Sequence, residues 1–172
     1  KNYPASFAHA TADALWAMGK LGIPFPEPML LAYYYRFALE KNELQAASLT
    51  NIIWAYGRLC PPTTPELIQH LSLWCSAFRR EDVYIRRYFS ASQLSKMAWA
   101  FGRLSVVMDD ETLYSWYEAF GREKDNFTAM ELCNVIWMFG KLRLTPEKEF
   151  WEAWCDRFAS LSPRDFTSSD LA

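Results

Sequence analysis

A chain of 172 residues with 51% hydrophobic and 22% charged side chains is long and apolar enough for one folded domain, which excludes a disordered segment. No stretch reaches 18 uninterrupted apolar residues, so no segment is expected to span a membrane. The formal charge of −2 excludes attraction to nucleic acid through bulk charge and leaves only a local basic stripe for that role.

Taken in order, the chain repeats itself. DALWAMGKL, NIIWAYGRL, KMAWAFGRL and NVIWMFGKL place tryptophans at Trp16, Trp54, Trp99 and Trp137. Each is followed at three residues by a glycine (Gly19, Gly57, Gly102, Gly140), at four by a base (Lys20, Arg58, Arg103, Lys141) and at five by a leucine. A period of this length is the mark of stacked structural units. The units run over about residues 6–43, 44–88, 89–126 and 127–165. The first expected helix of each begins about ten residues before the Trp, at Ser6, Leu44, Phe89 or Phe127, and ends at the Leu.

GIPFPEP, CPPTTPE, VVMDDE and RLTPEK then break the helix, because Pro is tolerated in a first turn but not inside. A second helix follows in each unit: LLAYYYRF, LIQHLSLWCSAF, TLYSWYEAF and EFWEAWCDRF, ending near Phe37, Phe78, Phe120 and Phe158. No stretch shows sustained alternation of period two, so strands are not expected. The second unit is longer, with its excess around RREDVYIRR. FTSSDL at Phe166–Leu171 matches FTAMEL at Phe127–Leu132 in the same phase, so residues 166–172 read as the start of a fifth unit and the chain as a segment of a longer array. The expected fold is all-α, an α-solenoid of four two-helix units with helix content above two thirds, each unit burying its apolar side on its neighbours.

A helical wheel sorts the first helices into faces. The residues five, two and one before the Trp, and two and five after it, form one apolar arc, Leu49, Ile52, Ile53, Tyr56 and Leu59 in the second unit, which should pack on the partner second helix. The Gly and the Ala after the Trp lie on opposite flanks and let neighbouring first helices approach closely. A helix-interior Gly costs about 1 kcal/mol against Ala and needs such a reason. The remaining arc carries the Trp and a polar pair seven residues apart: Asp13/Lys20, Asn51/Arg58, Lys96/Arg103 and Asn134/Lys141. Stacked units would line these up as a stripe with one base per unit. Asn suits a base edge and Lys or Arg a phosphate. The same bases, standing in last helical turns, would equally serve to cap helix ends. The tryptophans read either as packing between units, with their indole N–H bonded, or as stacking surfaces. Arg79, Arg80, Arg86 and Arg87 form a second basic cluster, which would clamp phosphates or be solvated beside Glu81 and Asp82.

Catalysis is not expected. The sequence holds no phosphate-loop, dinucleotide, zinc-protease or nucleophile-elbow motif. Cys60, Cys75, Cys133 and Cys155 form no CxxC pair, and with only His9 and His70 beside them neither a metal site nor a cofactor is expected. These cysteines read as reduced, mostly packing thiols of a reducing compartment.

The pattern F-x-x-x-x-L-x-N-x-I-W-x-F-G-K-L followed by Pro, cleanest over Phe127–Pro146 and Leu44–Pro62, resembles the octotricopeptide repeat of organellar RNA-binding proteins. It is similar also to the arrays of the FAST-kinase and RAP-domain proteins and to apicomplexan heptatricopeptide repeats. The resemblance covers residues 6–171. It implies a mitochondrial location, or alternatively a plastid one, and work in RNA stability, processing, translation or ribosome assembly. The partners it implies are single-stranded or ribosomal RNA and other proteins of a ribonucleoprotein assembly, with no membrane and no small-molecule substrate. Two functions remain open at this point: an RNA-binding array, favoured by a base in every unit, and a structural scaffold, for instance a mitochondrial ribosome subunit, favoured by the acidic balance.

Overall fold

A computed structural model of the chain describes residues 7–80 and 89–165 and is all-helical, with no strand among the described residues. The helices are α1 (Phe7–Leu21), α2 (Glu27–Glu40), α3 (Ala46–Leu59), α4 (Pro65–Arg79), α5 (Ala91–Leu104), α6 (Asp110–Glu123), α7 (Ala129–Leu142) and α8 (Lys148–Ser160), with 3-10 turns at Lys41–Glu43, Lys124–Asn126 and Pro163–Asp165. Most of the excess of the second unit, including Glu81, Asp82, Arg86 and Arg87, lies outside the described residues, as does the expected start of a fifth unit at 166–172. None of the described helices is long and apolar enough to cross a membrane.

The helices pack in two rows. The odd-numbered helices touch one another in chain order, α1 on α3, α3 on α5 and α5 on α7, over a long face. The even-numbered ones do the same, α2 on α4, α4 on α6 and α6 on α8, over a thinner one. One core runs between the rows.

The first helices begin two residues later than the sequence pattern suggests in units two to four. Ser90 and Thr128 are the caps, each accepting a backbone N–H through its hydroxyl while the side chain of Gln93 or Glu131 accepts the cap's own N–H. Leu44, Phe89 and Phe127 therefore lie on extended or pre-helical backbone, yet all three are buried. Phe89 packs on Phe78 at 5.0 Å between ring centres, and Phe127 on Phe120 at 4.7 Å. At Phe89 and Phe127 the recurring residue ten before the Trp is thus a plug against the preceding second helix rather than a turn of the first.

The helix ends follow one plan with one variation. The residue six after each Trp takes a left-handed conformation: Gly22 (φ 68°), Cys60 (φ 45°), Ser105 (φ 55°) and Arg143 (φ 56°). In units one, three and four the next N–H reaches back to close the end, as Val106 N–H does on Phe101 O at 3.3 Å and Leu144 N–H on Phe139 O at 3.0 Å. Pro61 has no N–H to give, so unit two closes with the shorter bond from Cys60 N–H to Tyr56 O at 2.8 Å.

The apolar arc is buried, Leu49, Ile52, Ile53 and Tyr56 almost completely. It packs more widely than on the partner second helix alone. Phe101 of α5 meets Trp74 of the preceding α4 at 5.7 Å, and Phe139 of α7 meets both Tyr117 of α6 and Phe150 of α8. The second helices carry their own signature, an aromatic four residues before the terminal Phe: Tyr33/Phe37, Trp74/Phe78, Trp116/Phe120 and Trp154/Phe158. The three indole N–H groups donate to the carbonyls of Leu49, Leu94 and Leu132, at 2.9, 3.3 and 3.1 Å. Each bond ties a second helix to the first helix of its own unit.

Candidate nucleic-acid interface

The glycines fix how the odd-numbered row is spaced. A Cβ on Gly57 would stand 2.7 Å from the Cα of Ala100 and 3.1 Å from Trp99; one on Gly102 would stand 2.6 Å from the ring of Trp137. On Gly19 it would meet Trp54 at 3.0 Å and Ala55 Cα at 3.3 Å. Gly19, Gly57 and Gly102 therefore each seat the Trp of the following unit together with the backbone of the residue after it, Ala55, Ala100 or Met138. These tryptophans pack by ring edge on a bare backbone, whereas the indoles with bonded N–H groups are those of the second helices. Gly140 has nothing within 4 Å of its added Cβ among the described residues.

The polar pairs stand on the outer side of the same row. Asp13, Lys20, Arg58, Lys96, Arg103 and Lys141 are exposed, and Asn51 and Asn134 are half-buried. Their surroundings differ. Lys20 Nζ lies 5.5 Å from the Trp16 ring and 5.3 Å from the Trp54 ring, bridging two units by cation–π contact. Arg103 stands over Trp99 and reaches back to the preceding helix end, donating from Nε to Gly57 O at 3.5 Å. It therefore helps cap the neighbouring helix end, at a carbonyl to which Cys60 Sγ also donates. Asn134 donates to Ser95 Oγ at 3.4 Å across the α5–α7 contact. Arg58, Lys96 and Lys141 keep exposed heads.

The second basic cluster resolves differently. Arg79 is committed to the next unit: it pairs with Asp109, donates to Thr112 Oγ1 at 2.8 Å and approaches Glu111 at 3.5 Å. Asp109 is itself the N-cap of α6, and its bonds from Thr112 and Arg79 outweigh desolvation to hold its carboxyl below the usual value. Arg80 is half-buried. Arg79 thus works as an inter-unit strap, a role invisible in sequence because its partners lie 30 or more residues away.

The charge of the chain is sorted by row. The odd-numbered helices carry five bases (Lys20, Arg58, Lys96, Arg103, Lys141) and two acids (Asp13, Glu131). The even-numbered helices carry five bases and ten acids, with Asp110, Glu111, Glu118 and Glu123 all on α6. A net charge of −2 therefore covers a positive face on one side and a negative one on the other.

One further cluster was not foreseen. His70 of α4 is buried among Tyr33, Tyr34, Phe37 and Tyr56, with Tyr34 stacked on it at 4.4 Å and Nε2 3.1 Å from Tyr56 Oη. The hydroxyls of Tyr33 and Tyr34 and the Nδ1 of His70 have no hydrogen-bond partner among the described residues. Desolvation lowers the His70 pKa to about 3, so the ring is neutral in the fold. A single His in LIQHLSLW gives no sequence signal of such a nest.

Compared with protein-family models, curated proteins and solved structures, the chain matches none of them.

Proposed function

We propose that this chain is a segment of an RNA-binding α-solenoid of the octotricopeptide kind, acting in the mitochondrion or, alternatively, the plastid. The observation that carries the reading is the sorting of charge: bases recur once per unit on the odd-numbered row, beside a tryptophan, while the acids gather on the other row. Row spacing supports it further. Gly and Ala bring the odd-numbered helices into closer contact than the even-numbered ones make, so the bases of successive units stand near one another. A positive face suits a single strand, its phosphates held by Arg58, Lys96 and Lys141 and its bases facing Asn51 and the indoles. A scaffold reading draws on the other row, where Tyr114 and Trp151 are exposed among acids.

The test is binding of labelled single-stranded RNA across a salt series. Replacing Arg58, Arg103 and Lys141 by Gln should lower the log–log salt slope by roughly 0.7 per lost phosphate contact. Asn51→Ala should instead alter base preference and leave the slope alone, since a neutral amide releases no counterion. Asn51 is the cleaner probe because Asn134 is already bonded to Ser95. Arg103→Gln also removes a cap, so thermal stability is the control; equal losses of binding and stability would assign the bases to capping. A parent chain that binds no RNA at low salt would replace the reading by the scaffold.

A further inference from the structure

The first and third junctions between units place a tyrosine at the same position and treat it differently. Tyr34 follows Tyr33 on α2, and Tyr117 follows Trp116 on α6. At the third junction Tyr117 stacks on Phe139, and its hydroxyl is hydrogen-bonded to the backbone of Glu147, the N-cap of α8. At the first junction the matching N-cap, Thr64, gives its N–H to Pro62 O at 2.9 Å instead. The Tyr34 hydroxyl is buried and has no partner among the described residues. The residue before the N-cap differs too. Met108, before the N-cap of α6, is 4% exposed, whereas Thr63 before that of α4 faces solvent. The segment CPPTTP explains the difference. Pro61 and Pro62 fix φ and lack an N–H, so the backbone before α4 turns on itself rather than onto Tyr34.

Beside Tyr34 lies a cavity of about 490 Å³, a volume in the range of small-molecule sites. Its apolar wall comes from Leu15 of α1, Phe25 before α2, Leu30 and Tyr34 of α2, and Tyr56 and Leu59 of α3. Its charge has one sign. Glu27 and Glu66, in the first turns of α2 and α4, both line it, and no base does among the described residues. Neither carboxylate is in a salt bridge among the described residues. Burial, and after it the charge of Glu66, raises the Tyr34 pKa, so the field of that carboxylate reaches the aromatic wall.

We propose that this cavity binds a small aromatic amine, its ring among Phe25, Tyr34 and Tyr56 and its ammonium beside Glu27 and Glu66. Apolar walls alone accept any oily molecule of the right size. Two unpaired acids attract a cation and repel a carboxylate or a phosphate, and the ring faces favour a cation again. An RNA strand is therefore not the occupant, and the site works apart from the basic row.

Cys60 supplies the readout. Its thiol is exposed and the residue lines the cavity, so an occupant should shield it. The experiment follows alkylation of Cys60 by iodoacetamide on the whole chain, by mass spectrometry, with Cys155 of α8 as the internal reference. The probe is tryptamine, a cation at neutral pH. Tryptophol replaces its amine by a neutral hydroxyl, and indole-3-acetate carries a carboxylate. With a Kd of about 1 mM, tryptamine at about 5 mM should slow Cys60 about fivefold and leave Cys155 unchanged. Tryptophol should bind about tenfold more weakly, and indole-3-acetate should not shield at all. These three probes on the parent chain test the assignment of charge without any variant. Glu27→Gln with Glu66→Gln changes two exposed side chains, so it should keep the circular dichroism and bring tryptamine down to the level of tryptophol. No shielding by tryptamine overturns the proposal. So does equal shielding by the three probes, or undiminished shielding in the double variant.

Discussion

Glycine position separates two side chains that the sequence treats alike. Gly57 and Gly140 stand at the same place in their units, yet one faces the backbone of Ala100 and the other meets nothing within 4 Å among the described residues. Gly57→Leu should cost roughly 2 kcal/mol or more, since its Cβ meets a Cα rather than a flexible tip. Gly140→Leu should be neutral or stabilise by a few tenths of a kcal/mol through helix propensity, with urea midpoints as the measurement. Similar midpoints for the two variants would remove the close-approach argument. This much could be read from sequence, because a Gly repeated inside four helices needs a steric reason. His70 could not be. Its partners come from two other helices, and only the fold brings Tyr33, Tyr34 and Tyr56 around it. Its pKa, about 3 in the fold, lies below the unfolded value of about 6.5, so the unfolded chain binds the proton more readily. The stability from keeping the ring neutral is present above pH 6.5 and is lost as the pH falls from there toward 3. Between pH 7 and pH 5 the parent should lose about 2 kcal/mol from this group. His70→Gln, carrying no titrating ring, should lose that part of the slope. An unchanged slope in the variant would assign the acid sensitivity elsewhere.

Element boundaries show where a periodic pattern misleads. Leu44, Phe89 and Phe127 keep the helical phase but fall outside the helix, because Ser90 and Thr128 stop the backbone first. Burial was legible there and conformation was not. The opposite holds at the other end of the first helices. The Pro and Asp punctuation locates each break, but nothing in Ser105 or Arg143 announces a left-handed residue, which tertiary packing imposes. A non-glycine residue in that conformation carries a cost of roughly 1 kcal/mol. Ser105→Gly should therefore raise stability by about 0.5–1 kcal/mol, less the extra freedom gained by the unfolded chain. Gly22 gives the internal reference, since the first unit already uses glycine at this place. Thermal melts that fall for Ser105→Gly would mean the serine makes a contribution beyond its backbone.

At the scale of the molecule, the composition alone argues against nucleic acid and the arrangement argues for it. The two disagree because net charge has no address: ten acids lie on even-numbered helices, and only Asp13 and Glu131 share the row of the recurring bases. With a Debye length of about 8 Å at physiological salt, exposed acids on the far side of a helical layer about 10 Å thick are largely screened from a strand on the near side. Position should therefore outweigh total charge. Asp110→Asn, Glu149→Gln and Asp156→Asn together take the net charge from −2 to +1 by removing three exposed acids from the even-numbered row. RNA affinity should change less than threefold, equivalent to about 0.6 kcal/mol, with the salt slope unaltered, because no phosphate contact is added. Lys96→Gln moves the net charge by only one and in the opposite direction, yet it should reduce affinity and take roughly 0.7 from the slope, because its exposed amine stands on the basic face. Parallel salt titrations of the two variants decide the matter. If affinity follows net charge, rising steeply with the three acids removed and barely falling with Lys96, then the sorted rows do not form the binding face.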